Sequence, residues 1–246
     1  MTDLWERLRG RDTSLWPDGN VAADRLGWLD VASTMRAEAG ALQSWADSID
    51  AHHVVLLGMG GSSLGPEVLR AALGSERLVV LDTTDPATIA AAPVGPDTFF
   101  LVSSKSGTTL EVTTLLAYAW ERVPDGSHYA AITDPGTALA SLAAERAFNR
   151  TFVNPADIGG RYSVLSYFGL VPAALLGYDV AELCERALAT DPEPAVALGV
   201  ALADAQREGR DKVTVVPPLA FAAFGLWVEQ LIAESTGKRG TGLVPV

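Results

Sequence analysis

Four short segments of the chain hold the residue types that could do chemistry. The first is Gly58-Met59-Gly60-Gly61-Ser62-Ser63-Leu64-Gly65-Pro66. Glycines at a strand-to-helix turn let backbone N–H groups approach an anion closely, and the helix start adds a favourable dipole. By themselves these residues leave several readings open. Gly58-x-Gly60, with Asp82 ending the next strand, suits a dinucleotide fingerprint, although Ser63 replaces the third glycine and Gly61 crowds the middle. Gly61-Ser62-Ser63-Leu64-Gly65 formally matches a nucleophile elbow, which needs a later acid and then a histidine. The later histidine, His128, opens a strand and so falls at the wrong edge of an open parallel sheet. A sugar-phosphate loop and a tight turn without ligand complete the set.

The second segment is Ser103-Ser104-Lys105-Ser106-Gly107-Thr108-Thr109-Leu110-Glu111. Hydroxyls, one ammonium and a helix N-terminus converge in a single turn, the donors that a phosphate monoester wants. The chain has three lysines against fifteen arginines, and one of the three sits here. A helix cap needs one hydroxyl, not a run of them. The Walker A spacing is absent. The third segment, Gly159-Gly160-Arg161-Tyr162-Ser163, places a fixed cation on a freed backbone just before an uncharged stretch. That guanidinium could steady charge developing on a substrate oxygen, or simply satisfy carbonyls. The fourth runs from Trp227 to Lys238 and contains Gln230 and Glu234. A carboxylate at a helix C-terminus faces the negative dipole end, and partial burial also disfavours its charge, the setting of a general base. A solvated helix-end acid is the plain alternative.

The elements that must position these segments follow from periodicity. Trp28 to Ile49 carries a helical apolar stripe through Val31, Met35, Leu42 and Ala46. Apolar runs at 53–57, 77–81, 98–102 and 128–132, with a fifth at 148–153, predict strands buried on both faces of a parallel sheet. Helices are expected between them at 63–73, 86–92, 109–122 and 136–145, and after them at 163–176, 180–188 and 194–208. The fold class is therefore α/β: a doubly wound parallel sheet in a three-layer αβα sandwich. A strand at 211–217 and a helix at 219–234 read as the start of a second such unit, with no further strand expected before Val246. The expected division is a helical segment 1–50, a first domain 51–191 and the beginning of a second at 192–246.

Composition narrows the function. Of 246 residues, 48% are apolar and 20% charged, which excludes disorder along the whole chain. The net charge of −12 argues against nucleic acid or an anionic membrane as partner, so an anionic ligand must be held by local geometry. The single cysteine, Cys184, excludes an internal disulfide framework and cysteine-rich zinc sites. The first residues lack a basic-then-apolar leader pattern, and a reducing cytoplasm is the expected compartment. The uncharged stretch from Tyr162 to Tyr178 is broken by Gly169, Pro172 and Gly177 and reads as a buried helix rather than a membrane span.

Taken together and in order, G-x-G-G-S-x-L-G-P, S-K-S-G-T-T-x-E, G-G-R-Y-S-V-x-S and E-Q-L-x-A-E-S-T-G-K resemble blocks of the glucose-6-phosphate isomerase family. Leu15-Trp16 and Arg25-Leu26-Gly27-Trp28-Leu29 look like the isomerase part of bacterial transaldolase–isomerase fusion proteins. The resemblance implies a sugar isomerase (SIS) fold and interconversion of glucose 6-phosphate and fructose 6-phosphate, with no metal or redox cofactor. It implies that Ser104, Lys105, Ser106 and Thr109 hold the phosphate, and that Gly61 and Ser62 line the sugar side. Gly160 and Gln230 would lie beside the substrate, Arg161 would stabilise the enediolate, and Glu234 would shuttle the proton between C1 and C2. Gly107 stands where the family's phosphate loop has an aromatic and is expected to loosen that loop. Family members continue past the last block, where a ring-opening histidine is supplied by the second subunit of a homodimer. On that resemblance the chain reads as C-terminally incomplete, and its own isomerase activity as doubtful. His52, His53 and His128 match no family motif and read as structural. The alternatives are a non-catalytic sugar-phosphate-binding module, which would have no use for Glu234, and a dehydrogenase.

Overall fold

The computed structural model describes residues 2–16, 22–238 and 240–246. Five strands form one parallel sheet: β1 (His53–Gly58), β2 (Leu78–Leu81), β3 (Thr98–Ser103), β4 (Tyr129–Thr133) and β5 (Arg150–Val153). Their spatial order is β2-β1-β3-β4-β5. The five strands predicted between residues 53 and 153 all appear, each within two residues of its expected ends. The long apolar runs are strands because their side chains alternate between two buried layers. Val54 and Leu56 of β1 face one layer with Phe99 and Leu101 of β3, while Val55 and Leu57 face the other with Phe100 and Val102.

The chain begins with α1 (Thr2–Arg9). One layer on the sheet holds α2 (Val31–Asp47), α3 (Leu64–Leu73), α7 (Tyr167–Leu175) and α8 (Val180–Leu188). The opposite layer holds α4 (Pro86–Ala91), α5 (Leu110–Arg122) and α6 (Ala138–Glu145). The sheet, sandwiched between them, is the doubly wound three-layer architecture that the alternation predicts. Local signals set the helix ends. Asp85 caps α4 through the Thr88 N–H (2.8 Å) with Pro86 in the first turn, and Gly74 closes α3 in the left-handed region (φ +63°). The uncharged stretch after Arg161 folds into α7, whose residues from Phe168 to Leu175 are buried. Among the described residues no helix is long and apolar enough to cross a membrane.

The remaining elements are α9 (Glu193–Arg207), β6 (Lys212–Val213), α10 (Phe224–Thr236) and β7 (Val244–Pro245). Three expectations are corrected here. The strand foreseen over 211–217 is only two residues long, and the helix foreseen from Leu219 starts at Phe224. Pro217 and Pro218 lack amide donors, so the chain can neither extend the ladder nor enter a helix directly, and 219–221 forms a 3-10 turn. Third, a further strand does appear: β7 pairs in parallel with β6, Lys212 opposite Val244 and Val213 opposite Pro245. Two residues are too few to show a strand period. This part leaves apolar side chains uncovered, Val216 at 85% and Leu219 at 92% exposure.

The central strand β3 carries the packing load, since both its faces are covered. Leu101→Ala, at a fully buried position, is expected to lower unfolding stability by about 2–5 kcal/mol, read as a drop in the urea midpoint at unchanged slope.

Candidate active site

The strand order reverses direction at β1, whose neighbours are β2 on one side and β3 on the other. Open parallel sheets bind ligands in the crevice that this reversal leaves at the carboxyl ends of the strands. Gly58 and Ser103 are paired at those ends, so the first two chemical segments leave the sheet side by side. Ser103 Oγ donates to the Ser62 carbonyl at 3.2 Å and ties them together.

Residues 103–109 form a compact polar turn leading into α5. Ser104 Oγ and Thr109 Oγ1 lie 3.1 Å apart, with Ser106 Oγ 3.5 Å from Thr109 Oγ1. The Gly107 amide donates to Ser104 Oγ at 3.2 Å. Gly107 sits at a close approach in this turn. Its φ is +68°, and a Cβ there would meet Thr137 Cβ at 2.7 Å and the Leu139 amide at 3.1 Å. Glycine lets the turn sit tightly against the start of α6. A mostly apolar cavity of about 150 Å³ lies behind the turn, between α5 and α6, lined by Leu116, Leu139 and Leu142 among others.

Lys105 belongs to the same turn, but its ammonium points elsewhere. Nζ forms an ion pair with the Asp134 carboxylate and donates to the Ala156 carbonyl at 3.2 Å. Asp134 follows β4, and its amide donates back to the Lys105 carbonyl at 3.2 Å. Its other carboxylate oxygen, Oδ1, is buried without a protein partner among the described residues. Burial pushes the Asp134 carboxyl above its ordinary value, against the opposing pull of Lys105.

The third and fourth segments close the crevice. The turn at Gly160–Tyr162 lies against the turn at Gly60–Ser62. A Cβ on Gly61 would sit 2.3 Å from the Gly160 carbonyl oxygen, so the two backbones touch through glycine. Ser163 Oγ lies 2.6 Å from the Gly160 oxygen and 3.4 Å from that of Gly61. α10 lies across this junction. A Cβ on Gly60 would meet Gln230 Nε2 at 2.7 Å, which places Gln230 over the first turn. One turn further on, Glu234 Oε1 forms an ion pair with Arg161 Nη1. The Glu234 side chain is 50% exposed and Arg161 25% exposed.

The structure therefore joins Gly61, Ser62, Gly160, Arg161, Gln230 and Glu234 at one junction, and Ser104, Ser106 and Thr109 in the adjoining turn. The elbow reading is excluded, because Ser63 is fully buried with Oγ donating to the Gly60 carbonyl at 3.1 Å. His52 and His53 lie at the start of β1, and His128 Nδ1 is 3.1 Å from the Thr98 carbonyl. All three are at the opposite, amino-terminal edge of the sheet.

Sequence reasoning missed Asp134, Ser235 and the role of Tyr162. Asp134 had a signal: it is the acid in Thr133-Asp134-Pro135-Gly136, directly after a strand whose carboxyl end faces the crevice. Ser235 and Tyr162 had none, since they meet only when α10 crosses the 159–163 turn.

A doubly wound parallel sheet with a hydroxyl-rich turn and an acid–guanidinium pair at its reversal point places the chain among α/β domains with a polar crevice at the carboxyl ends of the strands. Comparison with known proteins gives the family. Residues 17–194 match the model of the phosphoglucose isomerase family, and the chain belongs to that family. It is 32% identical to a probable glucose-6-phosphate isomerase of Natronomonas pharaonis, over 93% of this chain and 57% of that protein. It is 34% identical to the glucose-6-phosphate isomerase of Rubrobacter xylanophilus, over 88% of this chain and 55% of that protein. The chain thus spans little more than half the length of these relatives. The fold is similar to a hypothetical protein of Thermus thermophilus (TM-score 0.81, 26% identity, all of this chain and 64% of that one). It is also similar to the tagatose-6-phosphate ketose/aldose isomerase of Escherichia coli (TM-score 0.59, 14% identity, 92% and 66%).

The glycine contact and the buried acid can each be tested. Gly61→Ala forces the two turns apart and is expected to cost about 1–3 kcal/mol of stability, measured by denaturant unfolding. The native chain holds the Asp134 proton more tightly than the unfolded chain does. This carboxyl's contribution to stability therefore falls as pH rises from the ordinary carboxylate range through the raised value. Asp134→Asn should remove that fall from the curve of stability against pH.

Proposed function

We propose that the crevice binds a hexose 6-phosphate and that the reaction is the interconversion of glucose 6-phosphate and fructose 6-phosphate. The observation that carries this reading is the Arg161–Glu234 pair, set beside two anion-friendly turns at the reversal point of the sheet. The relatives' names supply the hexose and the position of its phosphate.

Ser104, Ser106 and Thr109 take the phosphate with the backbone amides at the start of α5, and Lys105 joins them when its ammonium turns from Asp134 to the phosphate. Gly61 and Ser62, with Gly160 and Gln230, border the sugar. In the forward direction Glu234 removes the proton from C2 of the open-chain aldose. The electron pair forms the C1–C2 double bond of an enediolate, and Arg161 stabilises the charge on its oxygen. Glu234 then returns the proton to C1, while the proton of the C2 hydroxyl passes to the C1 oxygen and the C2 carbonyl forms, giving the ketose. An aldose–ketose shift is redox-neutral overall and needs one base and one charge stabiliser. In this reading the resting contact between Glu234 and Arg161 opens when substrate enters, so that the carboxylate can reach C2.

The same reading includes a homodimer that supplies a ring-opening histidine, and a cytoplasmic setting. It also divides the chain into the helical segment 1–50, a first domain 51–191 and part of a second from 192, where β6, β7 and the exposed Val216 and Leu219 lie.

Two measurements test the proposal. Glucose 6-phosphate and fructose 6-phosphate should raise the melting temperature of this chain where unphosphorylated glucose does not, and Ser104→Ala should weaken the effect. In a coupled assay, turnover is expected from a form extended to the relatives' length, and Glu234→Gln in that form should lower kcat by about 10²–10⁴-fold while binding persists. Equal stabilisation by glucose, or an unchanged kcat in Glu234→Gln, would overturn the reading.

A further inference from the structure

Arg161 is held by more than its ion pair. Its Nε donates to Ser235 Oγ at 3.2 Å, while Nη1 meets Glu234. Glu234 and Ser235 are adjacent in the last turn of α10, so the helix end grips one guanidinium with a carboxylate and a hydroxyl. The Tyr162 hydroxyl also donates to Ser235 Oγ, at 3.1 Å. A serine oxygen has two lone pairs, and these two donors fill them. Ser235 is thereby fixed from both sides. The Tyr162 ring is stacked on Trp28, with centroids 5.5 Å apart and planes 20° from parallel. Trp28 is anchored in turn, since the Gly27 amide donates to the Asp157 carbonyl at 3.0 Å and Leu26 bridges to Ile158. All four linked residues, Trp28, Tyr162, Arg161 and Ser235, are half-buried.

A guanidinium bonded only through a terminal nitrogen can pivot. A second bond at Nε fixes its plane. The difference matters at the moment of reaction, because the Glu234 contact must break before that carboxylate can work as a base. Whatever holds Arg161 then must be something other than Glu234.

We infer that Ser235 is a positioning residue for Arg161, that Tyr162 holds Ser235 and Trp28 holds Tyr162, so that the guanidinium stays in place when Glu234 turns to the substrate. The assignment rests on the proposed roles of Arg161 and Glu234. It gives the N-terminal segment around Trp28 a part in the site.

The test is water exchange of the Arg161 Nε–H, followed by ¹⁵N-edited NMR on the 246-residue chain without ligand. The signal is identified by its loss in Arg161→Lys. Ser235→Ala should speed the exchange about tenfold, the effect of losing one hydrogen bond to a charged group. Ser235→Thr, which keeps the hydroxyl, should restore the parent rate. Tyr162→Phe keeps the stack on Trp28 and should give an intermediate rate. Backbone spectra of the variants report whether the fold is kept. The inference is overturned if Ser235→Ala exchanges at the parent rate in a folded chain. It is also overturned if Ser235→Thr exchanges as fast as Ser235→Ala, or if Glu234→Gln alone releases the proton fully. No substrate is involved, so failure of the isomerase assay would sink the functional reading and leave this measurement to be judged by itself.

Discussion

The site depends on two backbones touching. The turn after β1 and the turn before α7 meet at Gly61 and Gly160, at a distance that leaves no room for a side chain on Gly61. That contact connects the sheet to the segment that carries Arg161. Without it, the guanidinium has no fixed relation to the hydroxyls at the start of α5. The approach is possible because the doubly wound topology delivers the ends of β1 and β3 to the same edge, and because glycine lets chain meet chain.

Charge is handled locally in a chain whose net charge is −12. The turn at 103–109 offers hydroxyls, amides and a helix start, and its lysine is already paired with Asp134. The partial charge at a helix N-terminus does not depend on the protein's overall balance, so an acidic protein can still seat a phosphate there. Asp134, buried with one oxygen unpartnered among the described residues, holds the ammonium between the ends of β3 and β4 and the 154–158 loop.

Helix α10 is the other determinant. It comes from the part of the chain beyond the first sheet, yet it places Gln230, Glu234 and Ser235 over turns that belong to that sheet. The crevice is therefore assembled from both parts of the chain. The two-stranded β6–β7 pair lies in this same part of the chain, with the exposed Val216 and Leu219 near it.

Much of this was readable from sequence. The strands were legible because continuous apolar runs closed by glycine or polar turns have one reading in an alternating α/β pattern. The two loops after β1 and β3 were legible because their residue types are extreme, and position at a strand's carboxyl end follows from the fold class. Where local rules were thin, the reading failed: β7 is two residues long, and the proline pair before α10 displaced its start. The sequence also contained the acid and the guanidinium, but as residues 73 positions apart in separate helical contexts. Only the tertiary structure decided that Glu234 is half exposed and in contact with Arg161, that Lys105 faces Asp134, and that Ser235 and Tyr162 brace the guanidinium. Such contacts depend on the angle at which α10 crosses the 159–163 turn. Packing between distant segments sets that angle, and local periodicity carries no information about it.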